Sequence, residues 1–417
     1  MRPGELIGPL EVGAVAHGGH FVARVEGRVV FVRHALPGEL LTARVTEVSS
    51  RFARADAVQI IEASVERVPP PCPNAGVCGG CDFQHVRPAF QAELKRRVLA
   101  EQLQRLAGIA WDGEVEQVPP LLDSRCRMRF VDAGGGRLGL RAHRSHVIVP
   151  LPDGGCPIAD PSMPMAHHEE NAATAELRSP RSAHPMPGAR HLTTDFGPSS
   201  PAERAESRNR SSNGEPMEWL GVVSREGGAL LRPRTRAEVT QRVGDRDFVV
   251  AADGFWQAHP AAPEVLTRAV LDGLEPADGE TAFDLYCGVG VFGAALVDAG
   301  CRVWGVEGDR RAVDLARRNV PGANFLAGDV ARTLRRLPRG ADLVVLDPPR
   351  TGAGKAVISA IAGLGARAVA YVACDPAALA RDLGTARQLG LEAVSIRGFD
   401  LFGMTHHLEA VAILRPA

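Results

Sequence analysis

Cys374 closes a short apolar, β-branched run in VAYVACDP, residues 369–376, and Asp-Pro follows it at once. The run predicts a buried strand. Asp375 suits a helix N-cap and Pro376 a first helical turn, with ALARDLGTARQLG continuing as a helix. Cys374 is therefore expected at the carboxyl end of a strand, just before a helix N-terminus. The partial positive charge there favours thiolate over thiol and makes a carbon nucleophile. The competing reading is a small buried core residue. The second candidate is Glu409, which follows two histidines in FDLFGMTHHLEAVAILRP. Strands flanking a loop at Gly403 to His407 would bring that loop over the sheet edge towards Cys374. A carboxylate so placed can take a proton from a substrate. His406 and His407 read as hydrogen-bonded packing.

A separate group of cysteines suits a metal centre. Cys72, Cys78 and Cys81 stand in CPNAGVCGGC, and glycines at 76, 79 and 80 let the backbone fold tightly around a bound group. Three thiolates need a fourth ligand. Cys156, in GGCPIAD, has a similar Gly-Gly and Pro setting and is the first candidate; Cys126, between arginines in an alternating strand, is the second. Zinc sites commonly pair two short hooks, whereas this chain has one short hook with a wider partner, so the spacing favours a [4Fe-4S] cluster over zinc. Cys126, Cys287 and Cys301 are left without an assigned role.

The third group consists of acids at predicted strand ends. From Thr281 onward, apolar strands (TAFDLYCG, CRVWGVEG, ADLVVLDPPR, RAVAYVACDP) alternate with helical patterns, which predicts a doubly wound α/β sheet over 251–417. Ligands on such sheets bind at the carboxyl ends of strands. Gly288 and Gly290 allow close backbone approach, and Glu307, about twenty residues on, can accept from ribose hydroxyls. Those two features suit NAD as well as S-adenosylmethionine. DPPR, Asp347 to Arg350, discriminates between them: an acid followed by two prolines makes a rigid shelf beside a reacting group, which a dehydrogenase does not need. With Asp329 and Asp347, the pattern favours a class I methyltransferase. Gln257, in FWQAHP, is the candidate for the methionine part of the cofactor.

Other elements must position these groups. A chain of 417 residues predicts two or three domains. It contains no apolar run long enough to span a bilayer and no signal-peptide core at MRPGELIGPLEV, which predicts a cytoplasmic protein. The net charge of −1 excludes a globally basic nucleic-acid binder, so any basic surface must be local. Only Lys95 and Lys355 are lysines among 48 basic residues, so no single arginine counts as evidence of function. Residues 1–63 read as about five short strands forming an OB-type barrel. Phe21, Arg24, Arg28, Phe31 and Arg33 could supply an RNA-binding face, or the two phenylalanines could fill the core. The pattern HFVARVEGRVVFVRHALPGE resembles the TRAM domain, a small RNA-binding barrel.

Residues 64–250 read as a central α+β domain. An amphipathic helix is expected from Pro88 to Leu106, with Phe90, Leu94, Val98, Leu99 and Leu103 on its apolar face. Arg125, Arg127 and Arg129 share one face of a strand and, with Arg141 and Arg144, form the most basic local patch, suited to phosphates or simply solvated. Residues 167–217 are rich in Ser, Pro, Arg, Asn and Glu and read as a disordered insertion.

Taken in order, CPNAGVCGGCDFQH, DLYCGVGVFG, VLDPPRTGAG, YVACDPAALARDL and FDLFGMTHHLE resemble the motifs of the RNA 5-methyluridine methyltransferase family, in its TRAM-containing, iron–sulfur type. The resemblance implies a class I Rossmann-like methyltransferase domain preceded by an OB-like barrel and an iron–sulfur domain. It implies that Cys72, Cys78, Cys81 and Cys156 hold a [4Fe-4S] cluster. Gln257, Tyr286, Glu307, Asp329 and Asp347 would bind S-adenosylmethionine. Cys374 would be the nucleophile and Glu409 the general base. Val291 departs from the family, which often has a polar residue there. The implied partner is RNA, ribosomal rather than transfer RNA, acted on by a monomer. The alternatives are transfer-RNA uridine methylation, methylation of an adenine amine, which needs no cysteine, and a non-enzymatic RNA-binding protein that kept the fold.

Overall fold

A computed structural model describes residues 1–166 and 217–417. The insertion expected at 167–217 lies, apart from Met217, outside the described residues. The N-terminal strands Leu6–Glu11, Val15–Ala16, His20–Val25, Arg28–Arg33, Leu40–Val48 and Phe52–Glu62 form one six-stranded sheet that curls on itself. The strand beyond the expected five is the two-residue Val15–Ala16, whose alternation is too short to read from sequence. Strand alternation sends Phe21, Val30, Val32, Leu41, Ala43 and Ala55 into a common core.

The expected RNA face is divided by that core. Phe21 is wholly buried, and Arg33 is buried in an ion pair with Asp56, 3.5 Å. Phe31 is only half-buried and lies under the Arg54 guanidinium, 5.6 Å from the ring centroid, with Phe52 at 5.3 Å on the same cation. The outward aromatic–cation surface is thus Phe31, Phe52 and Arg54. Parity along His20–Val25 excluded Phe21 from it.

Pro88–Gln102 is helical, with Pro88 in its first turn, and a single wider turn at Leu103–Ala107 ends at Gly108 in the left-handed region. Its apolar face is longer than one domain needs. Leu94 and Val98 pack into the barrel core, while Leu99 and Leu103 belong to the core of the C-terminal sheet. Lys95, fully buried, forms an ion pair with Asp400 and also donates to the Phe402 carbonyl, 3.0 Å. The segment placed by sequence within a central domain therefore bridges the two ends of the chain. The central sheet has five antiparallel strands, with Arg127–Asp132 between Leu138–Arg141 and Glu218–Ser224.

The C-terminal sheet has eight strands. Asn324–Ala327, Arg302–Glu307, Thr281–Leu285, Leu343–Leu346 and Ala368–Ala373 lie side by side and parallel. Glu409–Pro416 and Leu391–Asp400 follow as an antiparallel pair. Val115–Gln117 joins the outer edge. Chain order reverses direction across Thr281–Leu285, the switch point at which an open α/β sheet leaves a crevice beyond its strand ends. Among the described residues no helix is long and apolar enough to cross a membrane.

Candidate active site

Every residue of Ala368–Ala373 is buried, as a parallel strand covered on both faces requires. Asp375 Oδ1 then accepts from the Ala378 amide at 2.8 Å and caps the helix Pro376–Gln388. Pairing of Ala373 with Ala410 and of Phe399 with Glu409 sets Glu409 beside the carboxyl end of the cysteine strand. Cys374 and Glu409, far apart in sequence, thus stand together. The Gly403–His407 loop reaches the same place: Cys374, Arg350, His406, His407 and Leu408 line one cavity.

The loop after DPPR is tied to the cysteine strand. The Tyr371 hydroxyl donates to Asp382 Oδ2 at 2.6 Å, and the same oxygen accepts from the amides of Ala353 at 2.7 Å and Gly354 at 3.2 Å. One carboxylate therefore joins the loop after DPPR to the cysteine strand.

The electrostatics correct one expectation. Burial, and then the Glu409 and Asp347 carboxyls, push the Cys374 thiol up to about 12, while Arg350 pulls the other way. The resting side chain is a thiol; the helix terminus does not outweigh desolvation. Burial, with Asp347 adding to it, holds the Glu409 carboxyl well above its usual range. Asp347 is raised to about 7 by burial and by Glu307. His407 is lowered to about 3 by burial, His406 and Arg350, and so is neutral. His406 Nδ1 lies 2.6 Å from Asp82 Oδ2, which fits the packing role expected of it.

A second cavity lies beyond the neighbouring strand ends. Gln257, Tyr286, Gly288, Val291 and Asp347 line it, with Phe255 exposed at its rim. Tyr286 is held in the left-handed region, φ +61°, a strained conformation for a side chain of that size. Glu307 Oε2 accepts from the Gly288 amide at 3.1 Å and Oε1 from Asp309 at 2.8 Å, which aims the carboxylate across the turn. Asp329 caps a short helix through the Arg332 amide, 3.0 Å, and acts electrostatically on Tyr286. All five sequence candidates surround this turn.

Asp284 had no role in the sequence reading. It is buried, accepts from Gly293 at 2.8 Å through Oδ2, and leaves Oδ1 without a partner; burial raises it to about 8. Its place at a strand end before G-x-G was the available signal. Arg127 is also reassigned. Its guanidinium donates to the carbonyls of Ala252 at 3.0 Å and Gly254 at 2.6 Å, bracing the turn before Gln257, so it is not available to a phosphate. Arg129 is exposed on the same strand.

The loop 72–81 is pinned to the central sheet. Gly79 donates to Arg141 O at 3.0 Å, and Asn74 Nδ2 to Pro150 O at 2.7 Å. All four expected ligands are free thiols. Burial raises Cys78 and Cys156 and takes Cys81 to about 12, and the neighbouring cysteines of the set add to each shift. Among the described residues no three His, Cys, Asp or Glu side chains are gathered as a single ion would need. Cys126 donates instead to Ala258 O at 3.0 Å and stands outside the group. Cys287 and Cys301 are buried core residues.

The TRAM domain family matches residues 9–58, and the methyltransferase small domain family matches residues 263–373. An uncharacterized RNA methyltransferase of Streptomyces avermitilis is 44% identical over 98% of both chains. The 23S rRNA (uracil(1939)-C(5))-methyltransferase RlmD of Acidithiobacillus ferrooxidans is 33% identical over 95% of this chain and 94% of that one. In fold, the chain resembles the Pyrococcus abyssi tRNA (uracil-54, C5)-methyltransferase solved with S-adenosyl-L-homocysteine, with a TM-score of 0.66, 22% identity and coverage of 97% and 99%. The chain belongs to the RNA methyltransferase family that includes these RlmD enzymes, and it is an S-adenosylmethionine-dependent RNA methyltransferase.

Proposed function

We propose that the protein methylates carbon 5 of a uridine in structured ribosomal RNA, with Cys374 as nucleophile and Glu409 as general base. The observation that carries this reading is the strand register that sets Glu409 beside the carboxyl end of the cysteine strand, where its carboxyl acts on Cys374, the residue that lines the cavity. Methylation of an exocyclic amine needs neither residue. Ribosomal RNA is favoured over transfer RNA because relatives at 33% and 34% identity are 23S rRNA uracil-C5 enzymes.

The methyl donor fits the second cavity. Glu307 is aimed by two amides for hydroxyl groups, Gln257, Tyr286 and Asp347 line the walls, and Asp347 and the nearby buried Asp284, raised to about 7 and about 8, carry negative charge towards a cation once they give up their protons. When bound, S-adenosylmethionine supplies an electrophilic methyl on a positively charged sulfur. Carbon 5 of uracil is too weak a nucleophile to accept that methyl directly. The Cys374 thiol and the Glu409 carboxyl first release their resting protons to solvent; the thiolate then adds to carbon 6, and the ring π electrons shift to make carbon 5 electron-rich. Arg350 is the cation that eases thiol ionisation. After transfer, Glu409 takes the carbon 5 proton; the electrons of that bond restore the double bond and expel the cysteine. A base in folded RNA must be extruded to reach the cavity.

Cys72, Cys78, Cys81 and Cys156 are proposed to hold a [4Fe-4S] cluster. What supports this is four free thiols, of which Cys78, Cys81 and Cys156 are each raised in part by others of the set. A [4Fe-4S] cluster would be held by four cysteine thiolates, the number this set offers. RNA carrying 5-fluorouridine tests the chemistry, because fluorine blocks the proton loss and freezes the adduct. No covalent complex through Cys374 would sink the uridine mechanism. Mapping 5-methyluridine in RNA from cells lacking the protein tests the target.

A further inference from the structure

One wall of the Cys374 cavity comes from the other end of the chain. The turn between Val15–Ala16 and His20–Val25 places His17, Gly18 and Gly19 on the cavity lining beside Cys374 and Asp375. His17 Nε2 lies 3.1 Å from Asp375 Oδ2, while the other Asp375 oxygen caps the helix that follows the nucleophile. The Asp375 carboxyl is lowered despite its burial, with His17 first among the groups lowering it. Gly19 adopts φ +75°, and a Cβ there would stand 2.8 Å from Cβ of His406. Only glycine satisfies both the conformation and the approach. The turn is also rigidly based, because the helix Pro88–Gln102 buries Leu94 and Val98 in the barrel core and Leu99 in the catalytic core.

We infer that the His17–Gly19 turn of the barrel is a wall of the uridine pocket and that His17 is the positioning residue that locks it to the nucleophile's helix. The inference rests on the uridine reading proposed above. Loose tethering of a separate RNA-binding module would not need a polar contact to the residue after the nucleophile, nor a glycine pressed against the loop that precedes the base. With the wall locked, RNA held by the barrel presents its extruded base at a fixed distance from Cys374. Without His17, Asp375 loses one of its two partners, and both the wall and the thiol direction relax.

The test uses the full-length holoprotein with H17A and H17Q, the glutamine keeping a donor near the Nε2 position. One readout is the rate at which iodoacetamide alkylates Cys374, followed by peptide mass mapping. The other is the rate of adduct formation with 23S ribosomal RNA transcribed with 5-fluorouridine, in the presence of S-adenosylmethionine. H17A is expected to alkylate about fivefold faster and to trap RNA about tenfold more slowly, as loss of alignment predicts. H17Q should lie within about threefold of wild type on both, with cofactor affinity unchanged throughout. Two results overturn the inference: H17A matching wild type on both readouts, or H17Q failing like H17A together with a loss of cofactor affinity. If H17A is not recovered folded, H17N replaces it with the same expectations. If wild type forms no adduct, the uridine reading falls, and the alkylation rates still judge the wall.

Discussion

Glu409→Gln separates the two halves of the chemistry. The side chain is buried, and its carboxyl is held well above its usual range by burial and by Asp347. After burial, its carboxyl contributes most to raising the Cys374 thiol. A neutral amide of the same shape cannot repel the thiolate as a deprotonated Glu409 would, so addition of the cysteine to carbon 6 should not slow. The whole loss then falls on removal of the carbon 5 proton. A positioned general base is worth about 10²–10⁴-fold, or roughly 3 to 5 kcal/mol of transition-state stabilisation. The assay is single turnover with ordinary uridine-containing ribosomal RNA and labelled S-adenosylmethionine. The expected result is turnover reduced by about that factor, with a methylated, covalent RNA–protein complex accumulating on denaturing gels. The folded protein should not suffer, since a buried acid has been replaced by a neutral group. The native state holds a proton on Glu409 that the unfolded chain releases near the ordinary carboxylate value. Wild type therefore loses stability as pH rises above that value, and E409Q should show a flatter profile. Turnover within tenfold of wild type, or slow turnover with no trapped complex, would refute the assignment of Glu409 as the base.

Further outcomes follow from the same geometry. Affinity for S-adenosylmethionine should rise on the order of tenfold between pH 6 and 8.5 as Asp347 and Asp284, near 7 and 8, give up protons to face a cation. The neutral S-adenosylhomocysteine should show a weaker dependence, and calorimetry at several pH values decides. Lys95→Met leaves Asp400 buried without a counter-charge and should cost about 3–5 kcal/mol in urea unfolding, with K95M/D400L recovering most of it. Anaerobically purified protein should be brown and contain iron and sulfide. Cys156→Ser should lose the colour and Cys126→Ser keep it, and a colourless protein with one zinc would refute the cluster.

The local grammar of the catalytic strands was legible in the chain. VAYVACDP reads as strand, cap and helix, and each forms where its residues prescribe: six buried strand positions, an Asp375 cap and a helix from Pro376. Glycines 288 and 290 and the acids at 307 and 347 mark strand ends for the same reason, because period-two alternation and turn chemistry are short-range properties. The barrel face was left open at Phe21, because an aromatic on an alternating strand suits core and ligand equally, and closure of the sheet puts it in the core. Long-range pairing decided the rest. Which residue opposes Cys374 is set by an antiparallel strand that begins at Glu409. That His17 would meet Asp375 across 358 positions, or that Lys95 would meet Asp400 across 305, has no sequence signature. Nor does charge: a helix N-terminus is a local feature that favours thiolate, but desolvation by the assembled protein is larger and keeps Cys374 protonated. Sequence by itself determined the chemical groups and the strand ends that carry them, because backbone propensity acts over a few residues. Tertiary structure alone decided their partners, their protonation and the barrel's share in the pocket, because those depend on which distant surfaces exclude water from one another.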